Sequence, residues 1–205
     1  MRNNNDIVIL NKKKGIKEFL MGNKKEITIC GEVFKTKRSH FYFDTRFKQI
    51  GNMKELKKLQ EFPNLESISL NATSINDTGL QHIGQCNSIT NINLTFTSIT
   101  DKGISHLVNL KKIKHLRLKE TNISKNSIQY FNQMSSLISL QVHETEISGK
   151  DMGNLNLTNL EELLIDCDDD EDYSVLLALS ERLPTCEIIS KGKGVFSKGI
   201  FNSNL

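Results

Sequence analysis

Apolar residues recur through the middle of the chain at a fixed interval of 24 residues. Leu65, Ile89, Ile113 and Leu137 open successive units, and Leu160 follows after 23. Three positions on stand Ile68, Ile92, Leu116, Leu140 and Leu163, and two further on Leu70, Leu94, Leu118, Val142 and Ile165. A threonine column comes next (Thr73, Thr97, Thr121, Thr145), then an isoleucine column (Ile75, Ile99, Ile123, Ile147). Each unit closes on Leu80/Ile104/Ile128/Met152, Ile83/Leu107/Phe131/Leu155 and Cys86/Leu110/Met134/Thr158. Of the 28 positions in these seven apolar columns only Thr158 is polar. A composition that is 37% apolar would fill about 10 of them by chance. The period is structural.

Within a unit the L-x-L pair alternates apolar with polar residues, the period of a half-buried strand. The later apolar pair lies three apart, as on one face of a short helix. Asn76-Asp77, Thr100-Asp101 and Ser124 precede these turns and carry side-chain oxygens that can satisfy free N–H groups. The spacing predicts strand, tight turn, then a short helix or helical turn. No single unit can bury its own apolar face, so neighbours must stack.

The pattern L-x-x-L-x-L-x-x-T-x-I-x-D-x-G-L/I resembles the leucine-rich repeat, in its subtype with Thr at the usual Asn/Cys position. Leu65 to Leu80 and Ile89 to Ile104 match throughout. The third repeat has Lys125 and Ser127 where the motif has Asp and Gly, and the fourth reads Ser148-Gly149-Lys150-Asp151. The resemblance implies an α/β class fold: a short leucine-rich-repeat solenoid with a parallel concave sheet and short helices or helical turns on the convex side. It implies no particular activity, because function belongs to a site and not to a fold.

The ends read as caps. Leu56, Leu59 and Phe62 lie one period before Leu80, Ile83 and Cys86, so the helical half of an earlier repeat is present without a recognisable strand half. Ahead of it, Glu26–Lys35 and Arg38–Thr45 read as two strands of a β-hairpin, and Gly15–Met21 as a short helix. After the repeats, Tyr173–Leu183 is amphipathic and stops at Pro184, and Cys186–Ser190 reads as an edge strand. The resulting division is an N-terminal cap over 1–60, repeats over 61–170, a C-terminal helix/strand cap over 171–191 and a flexible Gly/Lys/Asn/Ser-rich tail over 192–205.

Charge is uneven. Residues 1–60 carry 15 basic and 6 acidic side chains, and the remainder 12 and 18. Aromatics interleave with the basic residues between Phe34 and Phe47, but the stretch alternates as strands do, which disfavours a nucleic-acid reading. The four cysteines (30, 86, 167, 186) form no C-x-x-C pair and read as small buried thiols. No apolar run approaches the ~20 residues of a membrane helix. The N-terminus lacks the pattern of a secretory signal, so a cytoplasmic, monomeric protein is expected.

Outward residues of the strand column fall into rows: Ser67, Asn91, His115, Ser139, Glu162; then Ser69, Asn93, Arg117, Gln141, Leu164; then Asn71, Thr95, Lys119, His143, Asp166. Exposed aromatics and arginines are enriched in binding hot spots, so Phe96, Arg117 and His143 lead the partner-binding candidates, with His115, Lys119, Gln141 and Asp166 beside them. The run from Asp166 to Asp172 begins like a calcium loop but has Glu171 where such a loop needs Gly and Leu177 where it needs Glu. The run reads as a solvated stretch leading into the Tyr173 helix, favoured by its N-terminal dipole, or as an acidic docking patch for a basic partner with Asp168 and Asp169 among its candidates, and not as a metal site. No catalytic or cofactor motif occurs, so no catalytic residue, metal or cofactor is expected. The expected function is stoichiometric binding of another protein, as an inhibitor or an immunity protein neutralising a toxin or effector. An adaptor or scaffold subunit of a larger complex is the alternative, and an enzyme with an unrecognised site the third reading.

Overall fold

The structure is a computed structural model that describes residues 26–45 and 47–203; the helix expected at Gly15–Met21 lies outside the described residues. Seven short strands pair in parallel, each with the next: β3 (His40–Tyr42), β4 (Ser67–Ser69), β5 (Asn91–Asn93), β6 (His115–Arg117), β7 (Ser139–Gln141), β8 (Glu162–Ile165) and β9 (Glu187–Ser190). Two antiparallel strands, β10 (Gly194–Ser197) and β11 (Ile200–Asn202), complete a nine-stranded sheet. The repeat is the register: Ile68, Ile92, Leu116, Leu140 and Leu163 are direct partners across the ladder. Their side chains are buried, as are Leu118 and Ile123.

The corner after each of β4 to β7 follows from two adjacent residues. Ala72, Phe96, Glu120 and Glu144 all take left-handed backbone angles, with φ between 51° and 58°. The threonine that follows each of them turns its hydroxyl back onto the carbonyl three residues earlier: Thr73 to Leu70, Thr97 to Leu94, Thr121 to Leu118 and Thr145 to Val142, at 2.6–2.8 Å. A buried carbonyl that has left the ladder is thereby satisfied.

The helical half starts where the sequence places a cap. Asn76, Thr100 and Ser124 accept from backbone N–H groups two residues on, and Ser148 forms a capping box with Asp151. The residue after the cap has a further task. Asp77 accepts both the N–H and the hydroxyl of Thr100 in the next repeat, and Asp101 does the same for Ser124. Gly103 leaves no room for a side chain beside Asp77. In the third repeat Ser127 fills that glycine position, and its hydroxyl donates to Asp101. Lys125 ends the series, and Ser148 turns to its own Asp151 instead.

Both ends differ from the sequence expectation. The N-terminal hairpin is tighter: β1 (Glu26–Ile29) pairs with β2 (Glu32–Lys35) around Cys30-Gly31. The second expected hairpin strand instead supplies β3, parallel to β4, and is the missing strand half of the first repeat. Phe34, Phe41 and Phe43 are buried and pack ring to ring, with centroids 4.7–5.9 Å apart. They close the core and offer no stacking platform for bases. At the other end, the flexible tail expected from residue 192 is corrected to the β10–β11 hairpin, held by Phe196 and Phe201 against Tyr173 at 5.2 and 5.3 Å. Tyr173 belongs to the Asp170–Arg182 helix that covers the last coil.

Candidate functional site

The sheet buries one face in the core and, among the described residues, leaves the other uncovered. Strand pairing fixes two rows of outward residues on that concave face. The first runs His40, Ser67, Asn91, His115, Ser139, Glu162, Glu187, and the second Tyr42, Ser69, Asn93, Arg117, Gln141, Leu164, Ile189. Antiparallel pairing continues the second row to Val195 and puts Ile200 opposite Ser197 at the edge. Nine strands at ~4.8 Å span ~38 Å, nearly twice what five repeats alone would offer.

The candidates separate by environment. Arg117 is exposed and its guanidinium has no ion pair or hydrogen bond among the described residues. His115 is half-buried beside it, and the two help line a shallow trough of about 410 Å³ with Ser67, Ser69, Asn91 and Asn93. Gln141, half-buried, donates to Glu162, which also accepts from Ser139. Phe96 stands 50% exposed on the rim, with the Lys119 ammonium 4.9 Å from its ring centre. Lys119 in turn bridges Glu120 and Glu144, and Lys191 reaches Glu144 from β9's end. Lys191 and the other rim partners hold the Glu144 carboxyl well below the usual carboxylate range, and Glu120 and Glu144 raise Lys119.

His143 is corrected. It is only 6% exposed, so it is no surface anchor. Burial pushes its pKa down against the upward pull of Asp166 and Glu144, and its Nδ1 has no hydrogen-bond partner among the described residues.

The acidic run is occupied mostly by structure. Asp166 accepts from the Glu144 N–H. Asp169 caps the Asp170–Arg182 helix by accepting from the Asp172 N–H, which lowers its pKa, and pairs with Lys150. Asp172 is buried and binds the N–H groups of Lys150 and Asp168. Asp168 projects with its side chain 79% exposed and pairs with Lys193, and Asp170 and Glu171 are exposed beside it. Among the described residues no group of three or more His, Cys, Asp or Glu side chains is placed to hold a metal ion, and no helix is long and apolar enough to cross a membrane.

Sequence reasoning missed Ile189, Val195 and Ile200, which share the concave face with Leu164. It also missed Phe47, 72% exposed with the same left-handed backbone as Phe96.

These features define a leucine-rich-repeat solenoid: coils of 24 residues, a parallel sheet on one side, helical turns on the other and a hairpin at each end of the described residues. No protein-family model and no curated protein matches the chain. Among solved structures it is similar to an internalin (inlF) of Listeria monocytogenes, 20% identical over 83% of this chain and 52% of that one, with a TM-score of 0.49. An internalin C2 (inlC2) of the same organism is 15% identical over 84% and 79%, TM-score 0.46. A plant peptide hormone receptor, RGFR1 in complex with RGF2, is 15% identical over 76% and 28%, TM-score 0.47. The chain spans about half the length of the first of these. The fold assignment rests on the repeat geometry.

Proposed function

We propose that this protein acts by binding another protein on its concave face, as a stoichiometric inhibitor or immunity-type protein that shields or blocks its target. One observation carries the reading. A parallel sheet is ordinarily covered on both faces, whereas no other described element covers the outward face of this one, and Arg117 on β6 has no partner among the described residues. The rim ion pairs from Phe96 to Lys191 give that face a fixed border. At ~38 Å by ~15 Å the face is ~570 Å², short of the ~800 Å² per partner of a standard interface, so the rim belongs to the contact as well.

A photo-crosslinking residue placed singly at Asn91, Asn93 or Gln141, and at Gln81 or Gln129 in the helical half, tests this in native extract. Adducts to one protein from the concave positions are expected. Adducts only from Gln81 or Gln129 would refute it. A captured target that keeps full activity in a 1:1 complex would replace the inhibitor by an adaptor.

A further inference from the structure

The concave face is not uniform. From β3 to β6 its outward residues are polar or basic, ending at Arg117, and no carboxylate lies among them. From β8 onward it turns apolar. Leu164, Ile189 and Val195 are consecutive partners on β8, β9 and β10, and Ile200 on β11 is 61% exposed. Leu164, Ile189 and Val195 are half-buried but do not pack on the core, unlike Val108, Tyr130 or Leu177. Beside this strip, in the other row, stand Glu162 and Glu187. Among the described residues Glu187 has no ion pair, and Glu162 is met only by the neutral Ser139 and Gln141. The cations on the opposite border are already engaged: Lys191 by Glu144, and Lys193 by Asp168 and the Cys167 carbonyl.

We infer that the Leu164–Ile189–Val195–Ile200 strip is the anchor of the binding face. Its occupant is a segment of a partner protein that sets aliphatic side chains on the strip and lysine or arginine against Glu162 and Glu187. Charge complementarity selects this occupant. Two unpaired carboxylates border the strip, and a basic group beside an aliphatic one satisfies both surfaces at once, whereas an acidic segment would meet repulsion. The strip crosses four strands, about 14 Å. A carboxylate on the same partner some three strands back from Ile189 meets Arg117, so polarity along the trough fixes the direction of docking. This inference rests on the binding reading above and adds to it the anchor residues and the partner's chemistry.

The test is selection of a displayed library of random peptides, each about 12 residues and so long enough to span the trough, on the full chain. Selected peptides are expected to be rich in Leu, Ile or Val next to Lys or Arg. Ile189→Glu should weaken their binding about tenfold or more with an unchanged melting curve, and Val195→Lys serves the same purpose if the first variant unfolds. In the double variant Glu162→Lys/Glu187→Lys the preference should invert towards acidic peptides. Peptides without a basic excess, binding indifferent to both Ile189→Glu and Val195→Lys, or no selected peptide at all would overturn the inference. So would concentration-dependent dimerisation of the full chain that Ile189→Glu abolishes, since a second copy would then be the occupant. Crosslinks confined to Asn91 and Asn93, insensitive to Ile189→Glu, would sink this inference alone. Crosslinks only from Gln81 or Gln129 would sink the binding reading beneath it.

Discussion

Replacing Asp101 with alanine removes a carboxylate that one coil extends to the next. It accepts the Ser124 N–H at 2.8 Å, the Ser124 hydroxyl at 2.7 Å and the Ser127 hydroxyl at 2.5 Å. Burial alone pushes this carboxyl's pKa up, but the hydroxyls of Ser127 and Ser124 outweigh it and hold the group below its ordinary value. A hydrogen bond to a charged acceptor contributes ~1.5–3 kcal/mol, and stranded buried donors add to the loss. Because the site is only partly buried, water recovers a share, and the expected cost is about 2–4 kcal/mol. At ~2–4 °C per kcal/mol for a chain of this size, the melting temperature should fall by roughly 5–15 °C. Asp77→Ala loses two bonds, to the Thr100 N–H and hydroxyl, and should cost less. The sign with pH is fixed by the depressed pKa. The stabilisation is fully present above the ordinary carboxylate value near ~4 and is lost as pH falls through the folded value. Urea melts at pH 7 and in acid therefore read a gap between wild type and Asp101→Ala that narrows in acid. A cost below that of Asp77→Ala, or a gap that widens in acid, would refute the inter-coil role.

Four further outcomes follow. Thr121→Val keeps shape but removes the hydroxyl that donates to the Leu118 carbonyl at 2.7 Å in a buried corner; a loss of ~1 kcal/mol is expected in urea melts, and no loss would show the threonine column to be steric only. Ala72→Gly, at φ 53°, should stabilise by ~0.5 kcal/mol, the relief of left-handed strain exceeding the added freedom of the unfolded chain. Ala178→Gly inside the Asp170–Arg182 helix should cost ~1 kcal/mol, and equal signs at the two sites would contradict the corner geometry. Burial pushes the Cys86 and Cys186 thiols up to about 12, so iodoacetamide at pH 8 should label half-buried Cys30 first and the other two only after denaturation, read by mass spectrometry; equal rates in the native protein would count against their burial.

The parallel register and the core were legible because one number, the 24-residue period, fixes which side chains face each other. What escaped was whatever broke that number or carried a different signal. Phe41 pairs with Ile68, 27 residues on, while Leu56 keeps the 24-residue offset to Leu80. Three extra residues thus lie between strand and helix, and a period search passes over β3. The β10–β11 hairpin hid behind a composition that reads as mobile. Yet Val195-Phe196-Ser197 and Ile200-Phe201-Asn202 flank Lys198-Gly199, both at positive φ, which is the two-residue hairpin signal. His143 follows the outward column in sequence but is enclosed, because a column fixes direction and not what neighbouring side chains cover. The acidic run shows its charge in the sequence, but not that Asp169 and Asp172 are spent on N–H groups.

The C-terminal hairpin joins a sealing role to the proposed anchoring role, and strand alternation makes the two inseparable. Phe196 and Phe201 point inward to Tyr173 and seal the last coil, while Val195 and Ile200, one position away on the same strands, point to the open face. The Gly199 N–H further ties the turn to the Ser180 hydroxyl at 2.9 Å. A cap must be rigid to protect the core from water. A binding surface borne on a rigid element loses little side-chain and backbone freedom when a partner arrives, which leaves more of the contact energy as affinity. On the binding reading proposed above, carrying Ile189, Val195 and Ile200 on the rigid terminal strands, and not on a loop, leaves a small face more of its contact energy for a partner.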